Sequence, residues 1–129
     1  GIVDYSTDLD YVVLRIQAYD LPAVELGDSD RLEQGEDVIA IGHPRGYDYS
    51  ITTGIISHVR VDEECIHLGD PALRSAAPET CTLIQHTAPI SPGNSGGPLL
   101  TYEPATRRVV VAGAPCGAGG GGSRLKAEG

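Results

Sequence analysis

Ser91-Pro92-Gly93-Asn94-Ser95-Gly96-Gly97-Pro98-Leu99-Leu100 is the stretch on which the reading of this chain turns. A serine stands among glycines, on a turn that runs into an apolar strand. Glycine on either side lets the backbone bend sharply and approach a ligand closely. Such a turn can aim the amides of Gly93 and Ser95 at one point, where a substrate carbonyl oxygen gains charge. A serine nucleophile needs that, and it needs a base. The same glycines suggest a phosphate-binding loop less well, because Gly93 to Gly97 lacks the following Lys-Ser/Thr and opens a strand instead of a helix.

The flanking chain is built of short runs rich in Val and Ile, separated by turn residues. Asp10 to Ile16, Asp37 to Ile41, Ser50 to Val59, Cys81 to His86, Pro98 to Tyr102 and Arg107 to Gly113 all read as strands. Gly42-His43-Pro44-Arg45-Gly46, Gly69-Asp70-Pro71 and Glu103-Pro104-Ala105-Thr106 carry turn chemistry. A short helix is expected only within Leu68 to Ala77. Several short strands at this spacing predict an all-β barrel or sandwich.

Composition narrows the function. The 129 residues carry a formal net charge of −9, from 9 Lys+Arg against 18 Asp+Glu. This argues against nucleic acid and anionic membrane surfaces, both of which select clustered positive charge. No apolar run approaches the roughly 20 residues of a membrane span, and no signal-peptide pattern opens the chain. Tyr is the sole aromatic type, so the core is expected to be aliphatic. The three cysteines leave two arrangements open: Cys65 paired with Cys81 and Cys116 left over, or three free thiols. The compartment is not fixed by them.

Three segments occur in order: Gly35 to Gly46, Thr52-Thr53-Gly54-Ile55-Ile56-Ser57, and Ile84-Gln85-His86-Thr87-Ala88-Pro89-Ile90-Ser91 through Leu99. Together they resemble the trypsin-like serine proteases of the HtrA/Deg type. Leu21-Pro22-Ala23-Val24-Glu25-Leu26-Gly27-Asp28-Ser29 is similar to the segment between their two barrels. The resemblance implies two six-stranded antiparallel β-barrels with the active site in the cleft between them. It places the end of the first barrel at residues 1–20 and the connector at 21–34. The second, C-terminal barrel then spans 35–117, with a flexible Gly-rich tail at 118–129.

The resemblance also assigns roles. Ser95 is the nucleophile. Gly93, Asn94 and Ser95 form the oxyanion hole, with the Gly93 and Ser95 amides as donors. Asp10, placed by counting back from Leu14-Arg15-Ile16, orients the histidine; Asp8 is its rival. The histidine itself is expected some tens of residues further upstream, and Gly1 stands only nine residues before Asp10. The base and most of the first barrel are therefore expected to lie outside this sequence, which leaves the isolated chain nearly inactive. Ala88, Pro89 and Ile90, with Ala112, Gly113 and Ala114 from the stretch Val111 to Pro115, are expected to flank the pocket for the residue before the cut. All are small or apolar, which predicts a preference for small or aliphatic side chains. Asn94 stands where the chymotrypsin branch has an aspartate that receives a newly cut N-terminus, so that activation route is not expected. Thr87 and Pro89 stand where HtrA members often carry Asp and Ala.

Each role has a plainer counterpart. Ser95 and Gly93 also suit a turn that merely shapes a strand entry, and Asp10 suits a solvated acid at a strand start. The pocket residues suit a barrel core. His43, His58, His67 and His86 read as ordinary turn or surface histidines; none stands where the family's base belongs. Cys65, His67, Cys81 and His86 have irregular spacing for zinc, so no metal and no cofactor is expected. The expected partners are polypeptide substrates, with self-association through an exposed inter-barrel face. The second reading of the whole is a peptide-binding module or pseudoprotease that holds chains without cutting them.

Overall fold

The computed structural model describes residues 1–7, 11–43, 49–62, 81–115 and 122–124, with backbone alone at 60–62, 81–82 and 122–124. The expected helix within Leu68 to Ala77 lies outside these residues, as do Asp8, Asp10, Cys65, His67 and Cys116.

Among the described residues nine strands follow in order: β1 (Ile2–Ser6), β2 (Tyr11–Leu14), β3 (Glu25–Leu26), β4 (Asp37–Gly42), β5 (Ser50–Asp62), β6 (Cys81–His86), β7 (Leu99–Glu103), β8 (Arg108–Pro115) and β9 (Gly122–Arg124). Six of them lie on the runs that read as strands in the sequence. The exceptions are β1, β3 and β9; β1 carries the strand formers Ile2, Val3 and Tyr5, whereas β3 and β9 are made by pairing rather than by propensity.

The larger sheet has the order β3-β8-β7-β4-β5-β6-β9, and β8 also pairs with β9. That last pairing, Ala114↔Arg124 and Pro115↔Ser123, closes β4 to β9 into a ring of six antiparallel strands. This is the six-stranded barrel that the resemblance implies. Closure uses two long strands, each of which changes partner part-way. β5 pairs with β4 from Ser50 to Ile55, then with β6 from Ile56 onward, with a bulge between Ile56 and His58. β8 pairs with β7 as far as Gly113 and with β9 beyond it. A register shift opposite Leu99/Leu100 leaves both Ala112 and Gly113 facing inward. Bulges of this kind sharpen the local twist and let a sheet turn a corner.

The barrel interior is aliphatic, as a chain with tyrosine as its sole aromatic requires. Val38, Ala40, Ile56, Ile84, Ala88 and Leu99 form the buried cluster, with Leu32, Val59 and Ile90 packed on it. β4 shows the expected alternation: Val38 and Ala40 point in, Asp37 and Ile39 out.

β1 and β2 form a separate antiparallel hairpin. Its chain ends are tied by Arg15 N–H to Gly1 O at 2.8 Å, and Tyr11 donates to Asp4 at 2.9 Å. Val12, Val13 and Leu14 are consecutive, yet 53%, 47% and 61% exposed, so both faces of the hairpin are open. A lone two-stranded hairpin is marginal in water.

The tail departs from expectation. Gly122-Ser123-Arg124 sits in a stretch of linker composition, yet it is β9 and joins β6 to β8. The open edges of two neighbouring strands present unpaired N–H and C=O groups. Satisfying them outweighs the poor strand propensity of Gly and Ser.

Candidate active site

The serine segment folds as two successive turns. Asn94 N–H donates to Ser91 O at 3.0 Å across Pro92-Gly93, and Gly93 has φ +107°. Gly97 N–H donates to Asn94 O at 3.0 Å across Ser95-Gly96, and Gly96 has φ +81°. A positive φ at the third residue is the type II requirement, and Pro-Gly and Ser-Gly meet it at no steric cost. Ser95 is therefore lifted to the second position of the second turn, where its side chain is exposed.

Three long-range contacts fix this turn to the barrel. His43 N–H donates to Gly93 O at 3.2 Å, from the end of β4. Gly96 N–H donates to Pro115 O at 3.3 Å, at the end of β8. Ile41 N–H donates to Pro98 O at 3.2 Å, and a Cβ on Gly97 would sit 2.4 Å from Ile41 O. Asn94 is buried, with 4% exposure, and its side chain covers Gly42: a Cβ there would lie 2.1 Å from Asn94 Oδ1. That oxygen has no hydrogen-bond partner among the described residues.

The amides then divide into two sets. Those of Asn94, Gly96 and Gly97 are bonded to carbonyls. Those of Gly93 and Ser95 make no hydrogen bond among the described residues.

The segment before the turn is fastened to β5. Thr87 N–H donates to Ile55 O at 3.0 Å, Ile55 N–H to Thr87 Oγ1 at 2.9 Å, and Thr52 Oγ1 to Pro89 O at 2.7 Å. Gly54 admits this contact, because a Cβ there would lie 2.2 Å from the Ala88 nitrogen. Ala88 is buried, Ile90 half-buried and Pro89 exposed. Ala112 and Gly113 are buried and Ala114 is half-buried. Ala112 also lines a cavity of about 280 Å³ with Gly27, Leu32, Thr101 and Val110, which contains no residue of the serine turn.

His86 is not a surface histidine. It is 4% exposed, opposite Ile56 on the β5–β6 ladder, and burial pushes its pKa below the ordinary value of 6.5. His43 meets the serine turn through its backbone; its ring stands edge-on to Tyr49 at 6.1 Å. His58 lies on the exposed part of β5, beside Gln34. Among the described residues no three His, Cys, Asp or Glu side chains are grouped to hold a metal.

The residues that sequence reading missed are those that hold the turn from a distance, namely Ile41, Gly42, His43 and Pro115. All four stood within quoted segments, but nothing local ties them to Ser95.

The family described as "Trypsin-like peptidase domain" matches residues 1–121. A serine protease named HhoB from Synechocystis sp. (strain ATCC 27184 / PCC 6803 / Kazusa) is 42% identical over 102 residues, which is 79% of this chain and 23% of that protein. A DegP-like periplasmic serine endoprotease of Marinomonas sp. (strain MWYL1) is 42% identical over 101 residues, 78% of this chain and 18% of that one. The chain thus spans about a fifth of these relatives. Among solved structures, an HtrA-type protease, AlgW with decapeptide, superposes with TM-score 0.68 at 33% identity, covering 95% of this chain and 34% of that one. By sequence, by barrel topology and by the serine turn, the chain belongs to the trypsin-like peptidase family and is of the HtrA/Deg type.

Proposed function

We propose that this chain carries the nucleophile half of a serine endopeptidase. Ser95 Oγ attacks the carbonyl carbon of a peptide bond, and its proton passes to a histidine supplied by a first barrel. Asp10 orients that histidine and stabilises its cation. The carbonyl oxygen, now an anion, is received by the N–H groups of Gly93 and Ser95. The amine leaves with the proton, and water releases the acyl group from Ser95. The observation that supports this reading is the division of amides in the turn: those of Gly93 and Ser95 make no hydrogen bond among the described residues and stand beside an exposed serine, while those of Asn94, Gly96 and Gly97 are bonded.

None of the four histidines stands where that base belongs, so this chain alone is proposed to be nearly inactive. Ala88, Pro89 and Ile90, with Ala112, Gly113 and Ala114, are proposed to favour a small or aliphatic side chain before the cut. The open β1–β2 hairpin supports self-association of the isolated chain.

A fluorophosphonate probe tests the reading. The full-length natural polypeptide that carries these residues should be labelled at Ser95, its Ser95→Ala variant should not, and residues 1–129 alone should be labelled far more slowly. A full-length protein that binds peptides yet leaves the probe unreacted is instead the pseudoprotease.

A further inference from the structure

The end of β4 continues past its last sheet partner as a support for the serine turn. β4 pairs with β7 through Val38↔Thr101, Ile39↔Leu100 and Ala40↔Leu99. Beyond Ala40 the same two segments stay in contact. Ile41 N–H donates to Pro98 O, and His43 N–H donates to Gly93 O, both at 3.2 Å. Gly42 lies between these two bonds, and Asn94 packs on it. A Cβ on Gly42 would be 2.1 Å from Asn94 Oδ1, 2.8 Å from its Cγ and 2.8 Å from its Cα. The first two atoms belong to a side chain, but the third is backbone. Asn94 is 4% exposed, so its carboxamide has little room to swing aside. Its Oδ1 has no hydrogen-bond partner among the described residues, so the contact with Gly42 is one of shape.

Asn94 is also the residue at which the two turns join. Its N–H closes the first turn on Ser91 O, and its C=O receives Gly97 N–H in the second. The amides of Gly93 and Ser95, which make no hydrogen bond among the described residues, belong to the residues on either side of it. The position of the Asn94 backbone therefore governs how those two amides stand relative to each other.

We infer that Gly42 is a positioning residue: the bare backbone at the end of β4 seats Asn94, and that seat aims the Gly93 and Ser95 amides at one point. The inference rests on the oxyanion role proposed above for those amides. A methyl at position 42 drives the Asn94 backbone away by roughly half an ångström before ordinary contact is restored. Ile41 and His43 still hold the turn on both sides of Gly42. The shift is then taken up as a tilt of the peptides next to Asn94, with the turn still attached. Loss of one oxyanion donor costs about 10²–10³ in turnover, and misalignment forfeits part of that.

The test uses the full-length natural polypeptide that carries these residues, at a temperature where every variant is folded. Substrate is a fluorogenic peptide with valine before the cut. Gly42→Ala should lower kcat and the fluorophosphonate labelling rate at Ser95 about tenfold or more. Affinity for the matching peptide aldehyde, whose Ser95 adduct places an oxygen where the oxyanion forms, should fall by a similar factor. KM and affinity for the cleaved peptide acid should change less than about twofold, since interactions made only in the transition state are the ones lost. Val38→Ala, a core truncation on the same strand, supplies the comparison: it should melt earlier than the parent yet keep the parent's labelling rate and aldehyde affinity. A folded Gly42→Ala protein with the parent's labelling rate and aldehyde affinity overturns the inference. So does an equal loss in Gly42→Ala and Val38→Ala, which would make the effect one of stability. If Gly42→Ala does not fold, Asn94→Ala removes the carboxamide from the other side of the same contact, and parent rates there overturn the inference too. A parent protein that is never labelled at Ser95 contradicts the nucleophile reading instead, and is a separate outcome.

Discussion

The amide of Gly96 donates to the carbonyl of Pro115 at 3.3 Å, joining the residue after the serine to the last residue of β8. Pro115 also pairs with Ser123 of β9. The serine turn, the long curling strand and the closing strand of the barrel thus meet at one backbone corner. Changes far from Ser95 in sequence should be felt there.

The first such change is in the tail. Deleting residues 122–124 removes β9, which is paired with both β6 and β8. The barrel then opens along one seam and Pro115 loses a partner. We expect a fall in unfolding free energy of about 2 kcal/mol or more, from several backbone hydrogen bonds at about 0.5–1.5 kcal/mol each. Urea denaturation of the intact and deleted chains measures it. Equal midpoints would mean that the tail contributes no stability.

The glycines after Ser95 separate strain from collision. A Cβ on Gly96 meets nothing within 4 Å, so Gly96→Ala carries only the cost of its φ of +81°. That cost is about 1–2 kcal/mol for an L-residue in the left-handed region. A Cβ on Gly97 would lie 2.4 Å from the backbone oxygen of Ile41, which cannot rotate away. Gly97→Ala should therefore be clearly the more destabilising of the two in the same denaturation experiment.

The core and the hairpin should respond differently to the same deletion. Leu99 is fully buried in the barrel cluster, and Leu99→Ala is expected to cost about 2–5 kcal/mol. Leu14 in β2 is 61% exposed, and Leu14→Ala should change stability by less than about 1 kcal/mol. A large loss at Leu14 in sedimenting oligomers, absent at low protein concentration, would identify the hairpin as the surface of self-association.

Acid should destabilise the barrel through His86. Burial holds its folded-state pKa below 6.5, whereas the unfolded chain titrates near that ordinary value. Between the two values the unfolded state binds the proton and the folded state does not. Stability therefore rises with pH in that window, is fully present above about 6.5, and is lost as pH falls through the folded value. Thermal melts across this range should show the slope, and His86→Gln should flatten it. A His86→Gln protein with the parent's slope would assign the effect to other groups.

The sequence by itself determined the local chemistry. The aliphatic, β-branched runs specify six of the nine strands among the described residues, because strand preference and burial act on the same side chains. Pro92-Gly93 and Ser95-Gly96 specify two turns with a positive φ at the glycine, because that need is met within four residues. The ordered motifs carried the family for the same reason. Tertiary structure decided everything that depends on a backbone partner far along the chain. It made a strand of Gly122-Ser123-Arg124, seated the connector on β8 at Gly27, buried His86, and tied the serine turn to His43 and Pro115. These bonds join N–H and C=O groups that every residue other than proline carries alike. Side-chain identity leaves no mark of them, and only closing the barrel brings the partners together.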